Sequence, residues 1–308
     1  VSNEKIEAYV DKVQVKPLVG IIPNPSPVVE SKYIEELGIT EWKLGNGVRV
    51  FIKPTDFKND EIVFSAFSSG GSSLVSDEDF LSANNAASLV QESGIGNFSK
   101  TELDKYLTGK IVSVYPYIGF YDEGLSGSTS PKDIETFFQL IYSYFTQPKI
   151  DSTAFLSLKS KMKTYLENMS NEPAVAFGDT LDVTLANYHF RNRPFTIKML
   201  DEIDLNKSIS IYKNRFADAS DFTFVFAGNI DLSTFKPIVE TYLGGLSSLN
   251  RNEKPIDLKY TNIKGEINKV VLKGIEQKSS VAISFVGNMQ WSRKNEHTME
   301  SLIDVLNI

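Results

Sequence analysis

Cysteine is absent from this sequence of 308 residues, and histidine occurs only twice. Without cysteine, the chain can form no disulfide, no thiol nucleophile and no thiolate-ligated metal site. His189 lies in a basic turn, and His297 precedes Glu300 at a spacing that puts both side chains on one helical face. Because a catalytic zinc typically takes three protein ligands, a solvated helix start is the better interpretation of that pair.

Long apolar runs, basic charge and the usual phosphate or nucleophile motifs are also missing. No run approaches the roughly 20 residues of a membrane span, and the net charge of −7 argues against a nucleic-acid surface. Residues 69–72 lack the lysine of a phosphate-binding loop. Residues 124–128 come close to a nucleophile elbow but are expected on a hairpin strand. Taken alone, the residues carry no catalytic constellation.

What the sequence does contain is a series of strands and amphipathic helices, organised around residues 42–98. Strand patterns at residues 47–53 and 61–67 precede a glycine-containing loop at 68–73, and a helix follows from about Leu81 to about Ser93. Further elements are predicted as a hairpin over residues 111–126 and helices over residues 99–107, 130–146, 151–168, 173–188 and 205–216. This order predicts an α+β layer domain rather than alternating βαβ units.

A similar order recurs near the C-terminal end of the sequence. Predicted strands at residues 222–227, 267–272 and 280–286 precede a helix from about Arg293. We therefore expect two copies of one fold, the second cut short in its first helix. Chance recurrence of strand, strand and helix in an α+β protein stays an open alternative.

These patterns divide the chain into three expected regions. Residues 1–40 are predicted to hold a short helix over 3–13 and a proline-rich linker at 23–27, residues 41–217 a complete domain, and residues 218–308 the start of a second. The chain begins without methionine or a signal-peptide pattern, and its last helix ends without a C-terminal cap. We expect an internal fragment of a longer protein.

Several segments resemble the M16 family of zinc peptidases, which includes pitrilysin, insulin-degrading enzyme and mitochondrial processing peptidase. The segments are residues 42–53, 54–58, 64–72, 94–99, 125–128, 130–140 and 222–229. Their order and spacing resemble those of the large bacterial PqqL-type members. The resemblance implies an α+β fold of tandem M16-type domains, each a mostly antiparallel sheet packed by helices, with the second domain truncated.

The M16 resemblance also implies where a metal site would lie. Family members carry an inverted His-x-x-Glu-His motif on the first helix of the N-terminal half. The two histidines bind one zinc, and the glutamate activates its bound water. Aligned through residues 94–98, this chain has Asn85 and Leu89 in place of the histidines and Ser88 in place of the glutamate. We therefore expect a degenerate zinc motif, with neither a catalytic nor a metal site.

A shifted alignment leads to the same expectation. Moving it by two residues puts Ala87, Val90 and Gln91 at the motif positions, which are equally unable to bind zinc. Glu167 is the candidate for the family's third ligand, and one carboxylate without its histidines binds zinc weakly. The helix is expected to keep a packing role through four small or apolar residues, Ala83, Ala86, Ala87 and Val90.

For the longer protein, the resemblance implies a zinc-dependent endopeptidase whose N-terminal half holds the zinc. This chain would be the non-catalytic half, which closes with the catalytic half around a peptide or unfolded protein and forms the wall of the chamber. The PqqL-type resemblance suggests the periplasm. Two alternatives stay open: a catalytically dead scaffold or partner subunit of an active M16 peptidase, and an unrelated ligand-binding α+β protein. No nucleic acid and no membrane span is expected.

Overall fold

The computed structural model describes residues 16–306. The helix predicted over residues 3–13 lies outside them. The described chain forms two compact units: residues 16–166 with 196–258 make the first, and residues 167–195 with 259–306 make the second.

The first unit is built on one seven-stranded, mostly antiparallel sheet. In chain order the strands are β1 (Val28–Ile34), β2 (Ile39–Leu44), β3 (Arg49–Pro54), β4 (Ile62–Ser69), β5 (Val112–Ile118), β6 (Asp122–Thr129) and β7 (Thr223–Gly228). Across the sheet they follow the order β1-β2-β3-β7-β4-β6-β5, and β3 and β7 run parallel. β1 and β5 are therefore the two edges.

Eight α-helices are described. They are α1 (Phe80–Ser93), α2 (Lys100–Leu107), α3 (Ile134–Thr146), α4 (Ser152–Met169), α5 (Pro173–Leu185), α6 (Leu205–Arg215), α7 (Leu232–Tyr242) and α8 (Arg293–Leu306). Ser99 begins α2 with the predicted capping box, in which its amide donates to the Glu102 carboxylate at 2.8 Å. Asp151 begins α4 by accepting the Ala154 amide at 2.9 Å.

The core lies on the face of the sheet that the helices cover. Alternate side chains of the central strands point to that face, and they meet an aromatic stripe on α3. Phe226 of β7 stacks on Phe64 of β4 and on Phe138 of α3, with ring centroids 4.9 and 5.5 Å apart. Phe235 of α7 meets the same ring edge-on at 5.1 Å. These aromatic contacts join the sheet to α3 and α7.

The α+β class and the mostly antiparallel sheet packed by helices are confirmed. The division expected at residues 217 and 218 differs from the structure, because β7 lies in the middle of the first unit's sheet. The segment after α7 also belongs to this unit. The Asp218 carboxylate accepts the amides of Leu249 and Arg251 at 2.8 and 2.7 Å, and the Asp221 carboxylate accepts that of Asn252 at 2.8 Å.

The expected linker likewise contains part of the sheet. Residues 28–44 fold as the β1–β2 hairpin, which the sequence patterns did not predict as such. The proline-rich segment before it lies against the first unit, since the Ser26 amide donates to the Glu240 carbonyl at 2.9 Å. Leu18 and Val19 are buried in the same core.

In the second unit, the structure differs again from the predicted strands. Residues 267–272 and 280–286 carry no assigned strand, whereas the predicted last helix is present as α8. The start of a second M16-type domain there stays a proposal.

Replacing Phe226 with alanine tests whether β7 belongs to the first sheet. In a Trp291→Phe background, Trp42 of β2 is the remaining tryptophan, and it is buried in the first unit. Truncating Phe226 leaves a cavity in the core, so we expect the free energy of unfolding to fall by about 3–5 kcal/mol. Urea unfolding followed by Trp42 fluorescence measures this change.

The matched control is Val225→Ala, at the neighbouring half-buried position on the opposite face of β7. It should cost less than about 1.5 kcal/mol. If the Trp42 transition did not move in Phe226→Ala, β7 would belong to a separately folding domain.

Candidate functional site

Helix α1 carries the positions that the sequence analysis aligned with the M16 zinc motif. It is held by the packing predicted for it, since Ala83, Ala86, Ala87 and Val90 are all buried. Ser82 fixes it to α6: its hydroxyl accepts the Asp204 amide, and its carbonyl accepts the Ser208 hydroxyl, both at 2.9 Å. Small residues on α1 allow this close approach of the two helices.

The three predicted motif positions lie on this helix in different environments. Asn85 is buried, and its amide group donates to the Leu81 carbonyl one turn earlier at 2.8 Å. Leu89 is buried on the same helical face, and Ser88 is exposed. In the shifted alignment, Ala87 and Val90 belong to the core, as noted above. Gln91 donates its side-chain amide to the Pro116 carbonyl of β5 at 3.1 Å.

These residues do not fit a zinc ion. Proteins bind zinc through cysteine, histidine and carboxylate groups. The Asn85 amide is instead hydrogen-bonded to the main chain of its own helix, and the Leu89 side chain has no atom that can bind a metal. Within residues 16–306, no three histidine or acidic side chains are placed to share a metal. Glu167 and His297 are exposed. His189 stacks on Tyr260, with ring centroids 3.9 Å apart. That the chain binds no zinc stays a prediction.

The opposite face of the sheet is a second candidate surface, and we call it the open face. It consists of three cross-strand rows whose side chains are mostly exposed or half-buried. In order across β3, β7, β4, β6 and β5, the rows are Arg49-Thr223-Phe67-Gly124-Tyr117, Phe51-Val225-Ser65-Ser126-Tyr115 and Lys53-Ala227-Val63-Ser128-Ser113. Small, hydroxyl and aromatic residues alternate there. Such a surface can contact an extended chain through apolar side chains and hydroxyl groups without demanding one sequence.

Sequence reasoning did not single out this open face. The signal was present in the alternation of β4, where Val63, Ser65 and Phe67 point away from the core. Val63 and Phe67 are 46% and 45% exposed, so two apolar side chains lie uncovered in the middle of the sheet. Tyr117 lies over Gly124, where a Cβ would sit 2.7 Å from the tyrosine ring. Only glycine leaves room for that ring.

A buried carboxylate anchors the glycine loop at the end of β4. Glu123 of β6 is fully buried and accepts the Gly71 amide at 2.6 Å. Gly70 has φ of 144°, and a Cβ there would sit 2.8 Å from the guanidinium of Arg215, so the loop requires glycine. Arg215 in turn binds the Glu253 carboxylate at 2.9 Å. Burial raises the pKa of Glu123 to about 7, while the Gly71 amide and the Arg215 charge oppose that rise.

Comparison with known proteins agrees with the resemblance found in the sequence. Residues 202–307 match the profile of the peptidase M16 inactive domain. The chain is related to the M16 peptidases.

Relatives in this family are similar over most of the chain. A zinc protease PQQL-like protein of Arabidopsis thaliana is 26% identical over 79% of this chain. A probable zinc protease PqqL of Haemophilus influenzae is 21% identical over 96% of it. The chain spans 23% and 32% of the lengths of these two relatives.

The fold is also that of an M16 protein. The crystal structure of the periplasmic protease PqqL from Escherichia coli superposes with a TM-score of 0.70 at 21% identity. The match covers 84% of this chain and 28% of that one. No helix among residues 16–306 has the length and apolar character needed to cross a membrane.

Replacing Glu123 with glutamine tests the buried carboxylate. Its pKa of about 7 in the fold lies above the ordinary 4.5, so the folded state binds this proton more tightly than the unfolded state. The contribution of this group to stability is therefore complete below pH 4.5 and is lost as the pH rises through 7. We expect the unfolding free energy of Glu123→Gln, relative to wild type, to rise by about 3 kcal/mol between about pH 4 and pH 8.

Urea unfolding at the two pH values gives this difference directly. Glu36→Gln, at an exposed carboxyl in the β1–β2 turn, is the control and should show no such change. A difference between Glu123→Gln and wild type that stays the same at both pH values contradicts the prediction.

Proposed function

We propose that this chain is a non-catalytic part of a zinc-dependent M16 endopeptidase and that its open face forms a wall of the chamber that receives the peptide. The observation that carries the proposal is helix α1. It packs in the core through Ala83, Ala86, Ala87 and Val90, while Asn85, Ser88 and Leu89 stand at the positions aligned with the zinc ligands and the base. A domain that conserves the scaffold without the metal chemistry serves binding rather than catalysis.

The open face supports the second part of the proposal. Within the described part of the first unit, helices pack against one side of the sheet, and the other side presents Phe51, Val63, Phe67 and Tyr115 among serine and threonine side chains. Apolar groups of this kind bind side chains of many sequences, and hydroxyl groups can pair with main-chain amides. Unfolded peptides are the substrate class that such a surface fits.

Zinc and a catalytic base would come from the N-terminal half of the complete protein, as in the relatives named zinc proteases. The peptide would be held between the two halves, and a periplasmic location follows the Escherichia coli relative. A scaffold or partner subunit of an active M16 peptidase is the outcome if the complete protein proves inactive.

Zinc content and peptide hydrolysis test the proposal at the level of the whole protein. The purified chain should hold less than about 0.1 zinc per molecule and cleave no quenched-fluorescence peptide, because α1 lacks both imidazoles and the base. The complete reading frame should hold about one zinc and cleave the peptide, with activity lost to a chelator and restored by zinc. Stoichiometric zinc on this chain that Asn85→Ala or Ser88→Ala removes would contradict the proposal.

The open face is tested in the complete protein by Phe67→Ala. Phe67 is 45% exposed in the middle of the open face, so losing its ring should lower kcat/KM for an unfolded substrate about fivefold, mainly through KM. Phe57→Ala is the matched control, since this ring is 88% exposed in the loop between β3 and β4. Equal kcat/KM values for both variants would contradict a role of the open face in substrate binding. They would not affect the conclusion from the zinc measurements.

A further inference from the structure

Strand β1 is an edge strand that is exposed on both of its faces. Residues 29–33 are all exposed, and Val29 and Tyr33 are 62% and 65% exposed. β1 pairs with β2 on one side, and it is the last strand in the sheet of the described chain on the other. An edge of this kind presents main-chain amides and carbonyls that another strand can bind.

The pairing inside the sheet shows which residues face that edge. The Leu44 amide donates to the Val48 carbonyl at 2.9 Å, which turns the main chain of Leu44 away from β1. Because successive residues of a strand alternate, Glu41 and Lys43 turn theirs towards β1, opposite Lys32 and Glu30. The main-chain groups of Ser31 and Tyr33 therefore face the open edge.

The sequence of β1 is complementary to itself about Ser31. If a second β1 runs antiparallel with Ser31 opposite Ser31, Glu30 lies opposite the Lys32 of the second copy, and Val29 lies opposite its Tyr33. Glu30 and Lys32 then form non-hydrogen-bonded pairs, the type in which facing side chains are closest. Both opposite-charge pairs form at once because the two-fold axis repeats them.

The charges of β2 extend this pattern on the same face. Lys43 lies opposite Glu30, and Glu41 lies opposite Lys32, within the sheet. Across the two joined edges, one row of side chains would contain Lys43 and Glu30 of one copy, followed by Lys32 and Glu41 of the second copy. The charges in this row alternate between positive and negative. Pairing centred on Glu30 or on Lys32 would instead place like charges opposite each other, which destabilises a strand pair. The charges thus select one register.

We propose that β1 is a contact between two copies of this chain, an antiparallel strand pair about a two-fold axis at Ser31 that joins the two sheets into one. The partner is a second copy because the charge pattern complements its own reverse and no other sequence is needed to explain it. One seven-residue strand per copy buries less than the roughly 1,600 Å² of a standard interface, so the dimer is weak and forms in the micromolar range. The proposal does not rest on peptidase function.

Two charge reversals test the register, and mixing them separates its effect from any effect on the β1–β2 pairs within one copy. Glu30→Lys and Lys32→Glu each place like charges opposite each other twice in a homodimer, so each should weaken self-association about tenfold or more. An equimolar mixture of the two variants restores opposite charges at both positions. Sedimentation velocity should therefore show dimer in the mixture at concentrations where each variant alone is monomeric. Glu36→Lys and Lys53→Glu, which change net charge equally at exposed positions off the edge, should associate as wild type does.

A cysteine at position 31, on the proposed two-fold axis, tests the strand pairing independently. The chain has no cysteine of its own, so Ser31→Cys offers one thiol per copy, and oxidised glutathione should convert it to a disulfide-linked dimer. Ser65→Cys, on the open face in the middle of the sheet, should not cross-link.

Three outcomes would overturn the proposal. They are a wild-type chain that stays monomeric at about 100 μM, a dimer that both charge reversals leave unchanged, and a mixture that associates no better than its components. Each of these leaves the zinc and hydrolysis tests unaffected.

Discussion

The structure depends on the insertion of β7 between β3 and β4. Residues far apart in the chain meet there, since β7 pairs in parallel with β3 and antiparallel with β4. Without β7 the β1–β3 hairpins and the β4–β6 group would be two small sheets, each with an unpaired edge. Phe224 and Phe226 are fully buried beneath this junction, so hydrogen bonding and apolar burial act on the same six residues. Pairing strands that lie far apart in the chain costs conformational entropy, and burial of the core side chains offsets that cost.

The one-sided cover of the sheet follows from the same arrangement. α3 and α7 pack against the aromatic side chains of the central strands, while the alternate side chains of those strands stay on the other face. That division produces the open face, which is the surface we assign to peptide contact. On the covered side, Glu123 holds the glycine loop through the Gly71 amide, and Arg215 pairs with Glu253 in the segment after α7. The covered core and the open face therefore both result from helices packing on one side of the sheet.

Helix α1 packs into the core through residues other than those aligned with the M16 zinc motif. The residues that pack, Ala83, Ala86, Ala87 and Val90, lie among the motif positions and meet the core independently of them. A buried asparagine needs a partner for its amide, and Asn85 finds one in the Leu81 carbonyl. Asn85 is therefore accommodated in the core without an unpaired amide group.

The sequence by itself determined the elements that rest on local signals. The capping box at Ser99, the aromatic stripe of α3 and the alternation of β4 each predicted their element, and the motif order indicated the M16 fold. Only the tertiary structure shows where β7 lies in the sheet. The sequence of an apolar six-residue strand does not indicate which strands it pairs with, and it is equally compatible with the start of a new domain. It also decided that residues 28–34, which follow a proline-rich segment, complete the sheet as an edge. The open face and the buried Glu123 are likewise products of pairing between distant strands, which no local pattern encodes.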